Sequence, residues 1–381
     1  MLQKLLSRVC DDPSIHIEMA NLHRRAYFDA QNRAGDKWRN GHWTCMHPEC
    51  NDRAIGSHTL QKKNSLEAIA DPTSRVVVSP RFDPAVGDRV GTNLSYENAS
   101  VFRGFCEKHD RELFLHLEEM TGAPDPLATV LQCCRTFCRE RLAQVHAFEA
   151  SKNGYDRMVR DQHEAIGRRL EALSGLPLST ISGYTETERL QYRPDNLERI
   201  RHLASAQATF LNSFDKLAGS VGDFFCDRAK PPHMFIKSWA LSNCLDFALS
   251  GSDDIGLPGA PVPMFYFVMP RSGVTHLGAF CHIEDEAVLT NVLEEKEVYD
   301  LRPGDNGIAL FRFFEQLMID RTNHWFLRPS AWAALSDSGR QILISEVNIH
   351  DRSLYSAGTK LFPSPEKLEV TRNVSWRPRP L

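Results

Sequence analysis

The chain lacks any long apolar run, and its longest ones, such as Met264 to Met269, are far too short to cross a bilayer. Its first residues lack the apolar core and cleavage site of a secretory signal, so we expect a cytoplasmic protein with no membrane partner. A Gly-rich phosphate loop, internal repeats and low-complexity tracts are also missing. The formal net charge is only −4, so any contact with nucleic acid must come from a local basic patch.

What is present is typical of a globular protein, since 42% of the residues are hydrophobic and 25% are charged. A length of 381 residues exceeds what one hydrophobic core usually supports, so we expect several domains. Turn residues concentrate at Thr121–Pro126 and at Lys230–Pro232. The sequence therefore predicts an α+β, multidomain protein with a zinc-binding region at 1–122, a helical region at 123–229 and an α+β domain at 230–381.

Apolar periodicity predicts individual elements in the two later regions. Helical spacing of apolar residues occurs at 127–145, 195–218 and 308–319, whereas short apolar runs at 264–269, 276–283 and 341–347 are typical of strands. In the first region, Asn64 and Glu67 have the spacing of a capping box that opens a helix.

Two short pairs of metal-ligand residues are the most informative pattern. Cys45 and Cys50 form a C-x4-C pair, and Cys106 and His109 form a C-x2-H pair. Zinc prefers four thiolate and imidazole ligands in a tetrahedron, and two such pairs are a common way to supply them. The spacing therefore predicts a structural zinc site, with His47 inside the first pair as a competing ligand.

The order of these features resembles a treble clef zinc fold. With a histidine at the position of His58, the stretch from 45 to about 120 resembles the His-Me finger (HNH) nucleases of the endonuclease VII type. Ser57-His58 matches that family's Asp-His pair, and Asp110 matches an Asn that binds the catalytic metal. The chain also resembles uncharacterised bacterial proteins that share SHxLQK followed by GFCxxHDxxLF.

The resemblance implies a metal-dependent endonuclease in which His58 is the general base and Asp110 binds Mg²⁺ or Mn²⁺. A bacterial setting would make defence against phage a plausible role. The chain departs from the family at Ser57, because a neutral serine is a weak metal ligand. The alternative for His58 is a structural role, including a hydrogen bond to a zinc thiolate, and the alternative for Asp110 is an acid favoured by the helix dipole.

Basic residues interleaved with aromatic ones make the segment 20–42 a candidate nucleic-acid contact, and two lysines after His58 extend it. The candidate residues are Arg24, Arg25, Lys37, Arg39, Lys62 and Lys63. An ordinary solvated surface explains them equally well.

Two functions thus remain open. One is a zinc-containing, Mg²⁺- or Mn²⁺-dependent endonuclease. The other is a non-catalytic zinc protein whose treble clef is structural and mediates binding to nucleic acid or protein.

Overall fold

The structure is a computed structural model, and it describes residues 2–83, 88–120, 122, 124–177, 195–271, 273–344, 359–365 and 367–378. Helices and a large antiparallel sheet combine in an α+β fold, which confirms the predicted class. No helix within these ranges is long and apolar enough to span a membrane. The helices are α1 (Leu2–Cys10), α2 (Pro13–Asn40), α3 (Glu67–Ile69), α4 (Glu107–Glu119), α5 (Pro126–Ser174), α6 (Asp195–Ser213), α7 (Asp215–Cys226), α8 (Glu286–Glu295), α9 (Ile308–Asp320), α10 (Pro329–Ala334) and α11 (Asp337–Ile344).

The described strands form two sheets. β1 and β4 make a two-stranded antiparallel pair, and the others form an eight-stranded sheet in the order β10-β5-β8-β7-β6-β9-β2-β3. The strands are β1 (Ser57–His58), β2 (Arg75–Asp83), β3 (Asp88–Ser95), β4 (Val101–Phe102), β5 (Met234–Leu241), β6 (Phe247–Asp254), β7 (Pro263–Arg271), β8 (Val274–His282), β9 (Trp325–Leu327) and β10 (Val370–Trp376).

The centre of the large sheet is buried on both faces. Every residue of β7 is buried, which explains why its sequence is a continuous apolar run rather than an alternating one. Trp239 of β5 packs edge-on against Phe314 of α9, and Phe265 of β7 packs against Phe137 of α5. The strands predicted at 264–269 and 276–283 and the helix predicted at 308–319 are therefore confirmed as β7, β8 and α9.

The chain divides into two compact units. One comprises Met1–Gly41 and Ala143–Leu211, and the other comprises His42–Leu142 and Asn212–Leu381. The eight-stranded sheet of the second unit includes β2 and β3 beside strands from after residue 230. The three-domain division at 122 and 229 stays a prediction about independently folding parts, for which limited proteolysis is the direct measurement.

The structure corrects one predicted strand and divides one predicted helix. The run 341–347 was predicted as a strand, but its described part belongs to helix α11. Ser336 Oγ accepts the Gly339 N–H at 3.1 Å and Arg340 pairs with Asp337 at 2.6 Å, so capping and an i,i+3 pair outweigh the short apolar run. Residues 345–347 lie outside the described residues.

The helix predicted at 195–218 is divided into α6 and α7 at Phe214. The Phe214 ring is fully buried and packs against Phe265 at 4.8 Å between ring centroids. Asp215 then opens α7, where an acidic residue in the first turn is favoured by the helix dipole.

The capping box at Asn64 and Glu67 is also wrong. Asn64 has φ 78°, in the left-handed region, and lies at a non-helical kink, while the short helix α3 that follows has no side-chain cap. Its side-chain amide donates to the Met120 carbonyl at 3.4 Å, near the end of α4. Asparagine is one of the few side chains that adopts this backbone conformation readily.

Candidate metal centre

Three cysteines and one histidine meet in the second unit. The ligand atoms of Cys45, Cys50, Cys106 and His109 all lie within 4.8 Å of one another, and they form a group that could hold a metal ion. We call this group the Cys3His cluster. It contains the four residues that the spacing predicts.

The backbone around Cys45 and Cys50 forms a knuckle. The N–H of Cys45 donates to the Asp52 carbonyl at 2.9 Å, and the N–H of Cys50 donates to the His47 carbonyl at 3.0 Å. These bonds turn both side chains toward the same point. A separate bond from Met46 N–H to Gly104 O at 2.8 Å ties this loop to the segment that precedes α4.

The other two ligands come from the first turn of α4. Cys106 is the residue just before the helix, and His109 lies one turn later on the same side. Phe105 fixes this helix start, since its ring packs edge-on against Phe114 of α4 and Phe225 of α7. A side chain on Gly104 would meet the Phe102 ring at 2.3 Å, so only glycine fits beside this segment.

The distances fit a tetrahedral zinc site. Zinc–sulfur bonds of about 2.3 Å place two sulfurs about 3.8 Å apart in a tetrahedron and place a sulfur and a nitrogen about 3.6 Å apart. The Sγ atoms of Cys50 and Cys106 are 3.8 Å apart. His109 Nδ1 lies 3.5 Å from Cys45 Sγ and 3.3 Å from Cys106 Sγ.

Protonation in the cluster depends on burial. Burial raises the pKa of Cys45 to about 12 and lowers the pKa of His109 below its ordinary value. His109 is therefore neutral at pH 7, as a metal ligand must be, whereas the Cys45 thiol has to lose its proton when a metal binds.

His47, the competing ligand of the sequence analysis, does not belong to the cluster. Its ring stacks on His109 with 3.9 Å between centroids and 5° between planes. Its Nδ1 accepts the Glu49 N–H at 3.4 Å. His47 thus packs against the ring of His109, a member of the cluster, and does not itself belong to it.

His58 lies at the end of β1, which pairs with β4 so that His58 faces Val101. Its Nε2 is 3.0 Å from the Glu97 carbonyl oxygen. A carbonyl oxygen only accepts, so Nε2 carries the hydrogen and Nδ1 carries the lone pair. Burial lowers the pKa of His58, and the positive charge of Arg135 lowers it further.

Asp110 lies one position after His109, in the first turn of α4. Its Oδ1 is 3.7 Å from a guanidinium nitrogen of Arg135 and has no hydrogen-bond partner among the described residues. Arg135 also pairs with Glu118 and lies over the Phe114 ring at 4.3 Å. The arginine therefore places one positive charge beside two carboxylates of α4.

We call His58, Asp110, Glu118 and Arg135 the His58 neighbourhood. The sequence analysis missed Arg135 and Glu118 as members. Arg135 is 1% exposed on α5, within the stretch 127–145 whose apolar spacing predicts a helix. The sequence signal for Arg135 was a charged residue inside that apolar helical spacing.

Ser57, the departure from the nuclease pattern, is fully buried. Its Oγ has no hydrogen-bond partner within the described part of the chain. His58 and Asp110 do not join any group of three or more metal-ligand residues among the described ones.

Four of the six predicted nucleic-acid contacts lie on α2, and the other two, Lys62 and Lys63, follow β1. Lys62 pairs with Glu97 at 3.2 Å, Lys37 pairs with Glu149, and Arg25 and Lys63 are exposed. The side chains of Arg24 and Arg39 lie outside the described part of the structure.

No protein-family model matches the chain, and no curated protein or solved structure shows significant similarity to it.

Proposed function

We propose that the Cys3His cluster binds one structural zinc ion and that the protein is a non-catalytic zinc-binding protein. The observation that carries this proposal is the convergence of four protein ligands within 4.8 Å. Four protein ligands complete a tetrahedron, whereas a catalytic zinc keeps one position open for water or substrate. The zinc would hold the knuckle of Cys45 and Cys50 against the first turn of α4.

The surroundings of Asp110 favour the non-catalytic proposal. A magnesium ligand needs a carboxylate oxygen that is free to bind the ion. Asp110 Oδ1 has no hydrogen-bond partner among the described residues, but the buried guanidinium of Arg135 lies 3.7 Å away and would repel a Mg²⁺ ion there. Ser57 also offers no carboxylate beside His58. On this proposal the zinc region is a rigid platform for a nucleic-acid or protein partner.

The second candidate is a His-Me finger endonuclease, which one specific observation favours. The hydrogen bond between His58 Nε2 and Glu97 O leaves the Nδ1 lone pair unprotonated, as a general base requires. The lowered pKa of His58 keeps the ring neutral at pH 7. The order β1, β4 and α4, with one pair of zinc-type ligands before β1 and the other at the start of α4, supports the resemblance to the treble clef nucleases.

In that candidate, His58 Nδ1 would take a proton from the water that attacks a phosphodiester. A bound Mg²⁺ or Mn²⁺ would supply positive charge to the phosphate and the leaving oxygen. Asp110 would have to give up its contact with Arg135 to bind such an ion.

Two measurements test the proposals. Elemental analysis of freshly purified protein should find about one zinc per chain, and a zinc-free, fully folded protein would refute the structural site. Incubation with single- and double-stranded DNA and RNA, with Mg²⁺ or Mn²⁺, should give no cleavage if the protein is non-catalytic.

Cleavage that falls about a hundredfold or more in His58→Ala would establish the endonuclease instead. The matched control is His116→Ala, an exposed histidine on α4. Both variants should keep their zinc, because neither residue belongs to the Cys3His cluster.

A further inference from the structure

The long helices α2 and α5 lie antiparallel in the unit that comprises Met1–Gly41 and Ala143–Leu211. Arg169, late in α5, pairs with Asp12 just before α2 at 2.9 Å. Arg157, earlier in α5, pairs with Asp29 in the middle of α2 at 2.9 Å. Later residues of one helix therefore meet earlier residues of the other.

A groove of about 400 Å³ lies between these helices. Three buried alanines, Ala30, Ala34 and Ala150, line it, and long charged side chains line it as well. The small alanine side chains allow the two helix backbones to lie close together, and the long charged side chains on either side form the walls of the groove. We call this feature the basic groove.

The described side chains that line the basic groove carry four positive and two negative charges. Its acidic lining residues are Glu149 and Asp156. Its lysine and arginine lining residues are Arg33, Lys37, Arg157 and Arg160.

Two of the four cations are already paired. Lys37 pairs with Glu149, and Arg157 pairs with Asp29 and with Asp161, the latter at 3.7 Å. These ion pairs fix the side chains of Lys37 and Arg157 and leave two lining cations without an acidic partner among the described residues.

The other two cations, Arg33 and Arg160, are exposed, and no described acidic side chain pairs with either. Arg33 comes from α2 and Arg160 from α5, so the unpaired guanidinium groups lie on opposite walls. A guanidinium group binds phosphate oxygens through two parallel hydrogen bonds, which makes arginine the preferred residue for phosphate recognition.

The positive charges are repeated along the groove. Arg33 and Lys37 are one helical turn apart on α2, and Arg157 and Arg160 are one turn apart on α5. A turn advances about 5.4 Å, so each wall presents positive charges in succession. A polymer with a negative charge on each unit suits such a series better than a single small anion does.

The geometry points to the basic groove as a binding site for the phosphate backbone of single-stranded nucleic acid. A groove of about 400 Å³ is too small to enclose a duplex, whose major groove alone is about 12 Å wide. Trp38, partly exposed, contacts the ring of the lining residue His146 edge-on at 5.4 Å and offers a surface for a stacked base.

Fluorescence anisotropy of a labelled 20-nucleotide single strand tests this inference. The full-length protein is titrated without added Mg²⁺ or Mn²⁺, so binding is measured apart from any cleavage. Replacing Arg33→Gln and Arg160→Gln together should weaken binding about tenfold or more. The slope of log affinity against log salt should fall by about 1.4, because each phosphate contact on a single strand contributes about 0.7.

The matched control is the pair Arg8→Gln and Lys152→Gln. These exposed residues lie on α1 and α5 of the same unit, do not line the basic groove and carry the same total charge. The control should keep the wild-type affinity and salt slope. Circular dichroism should show that both double variants keep the helix content of the wild type.

Equal weakening in both double variants would overturn the inference, because it would mean that net charge alone sets binding. Tighter binding of a matched duplex, or equal displacement by polyglutamate, would overturn it as well. The inference does not rest on His58 or on zinc. A protein that binds through the groove but never cleaves would support the inference while excluding the endonuclease candidate.

Discussion

The Cys3His cluster and the His58 neighbourhood both include residues of α4, but they differ in how their charged and metal-binding side chains are partnered. In the cluster, three thiols and an imidazole point at one another, and a metal ion would bind all four. In the His58 neighbourhood, Arg135 faces Asp110 and pairs with Glu118, and the Glu97 carbonyl accepts from His58. The first group has the donor atoms of a metal site, whereas the positive charge of the second comes from an arginine side chain.

The resemblance to nucleases implies both a structural zinc site and a catalytic Mg²⁺ site. The difference between the two groups favours the first and disfavours the second. A buried guanidinium group beside both carboxylates lowers the negative charge that would attract Mg²⁺ and would repel the ion at the same place. A group of thiols with zinc-like spacing has no such internal substitute. Replacing one residue of each group at a time, and measuring zinc content and the free energy of unfolding, should therefore show how much each group contributes to stability.

The largest expected effect is the loss of a zinc ligand. Cys106→Ala should release the zinc and unfold the region around α4, because structural zinc contributes about 10–16 kcal/mol to small zinc domains. Zinc content and thermal unfolding measure this. Cys138→Ala is the matched control, since Cys138 is also a buried thiol, is 2% exposed and lies outside the cluster. A Cys106→Ala protein with full zinc content would refute the assigned ligands.

The next effect is the loss of the internal cation. Arg135→Met should lower the free energy of unfolding by about 2–3 kcal/mol, somewhat less than for a fully buried pair, because the two carboxylates are partly exposed. Chemical denaturation measures the change, and zinc content should not fall. Arg141→Gln, which breaks the exposed pair with Asp215, should cost only about 0–1 kcal/mol. Equal losses would mean that Arg135 is not a buried structural cation.

The comparison also shows what the sequence can predict. All four members of the Cys3His cluster were predicted because each pair is local, and local spacing can be read directly from the sequence. Arg135 was missed because it reaches α4 from α5, and only tertiary structure brings the two helices together. The same reason explains the sheet, in which β2 pairs with β9 across more than 200 residues. Strands β7 and β8 were predicted as elements, but their neighbours were not.

The wrong predictions have local physical causes. A short apolar run near residue 343 is compatible with a strand or a helix. The hydrogen bond from the Gly339 N–H to Ser336 Oγ stabilises the start of the helix. The Asn64 pattern was read as a cap, although asparagine also tolerates the left-handed conformation that it adopts here.

A smaller effect concerns pH. Burial lowers the pKa of His58 below its ordinary 6.5, so the unfolded chain takes up a proton before the folded protein does as pH falls. The folded protein therefore loses stability below about pH 6.5, by at most about 1.4 kcal/mol per pH unit from this residue. His58→Gln should make the dependence of unfolding free energy on pH shallower between pH 7 and 6. An unchanged slope, with zinc retained, would contradict the buried neutral state.

The smallest effect is expected at Asp110. As an acid in the first turn of α4 with only a long contact to Arg135, it should contribute about 0.3–1 kcal/mol through the helix dipole. Asp110→Asn and Asp110→Ala should then lower the free energy of unfolding by similar small amounts, and Glu107→Gln, an exposed acid in the same turn, is the matched control. Denaturation curves at low salt measure all three. The endonuclease candidate predicts a different pattern, because an amide oxygen can still bind a metal whereas alanine cannot. Nucleic-acid cleavage that survives in Asp110→Asn and disappears in Asp110→Ala would therefore assign Asp110 to a metal and reverse the comparison between the two groups.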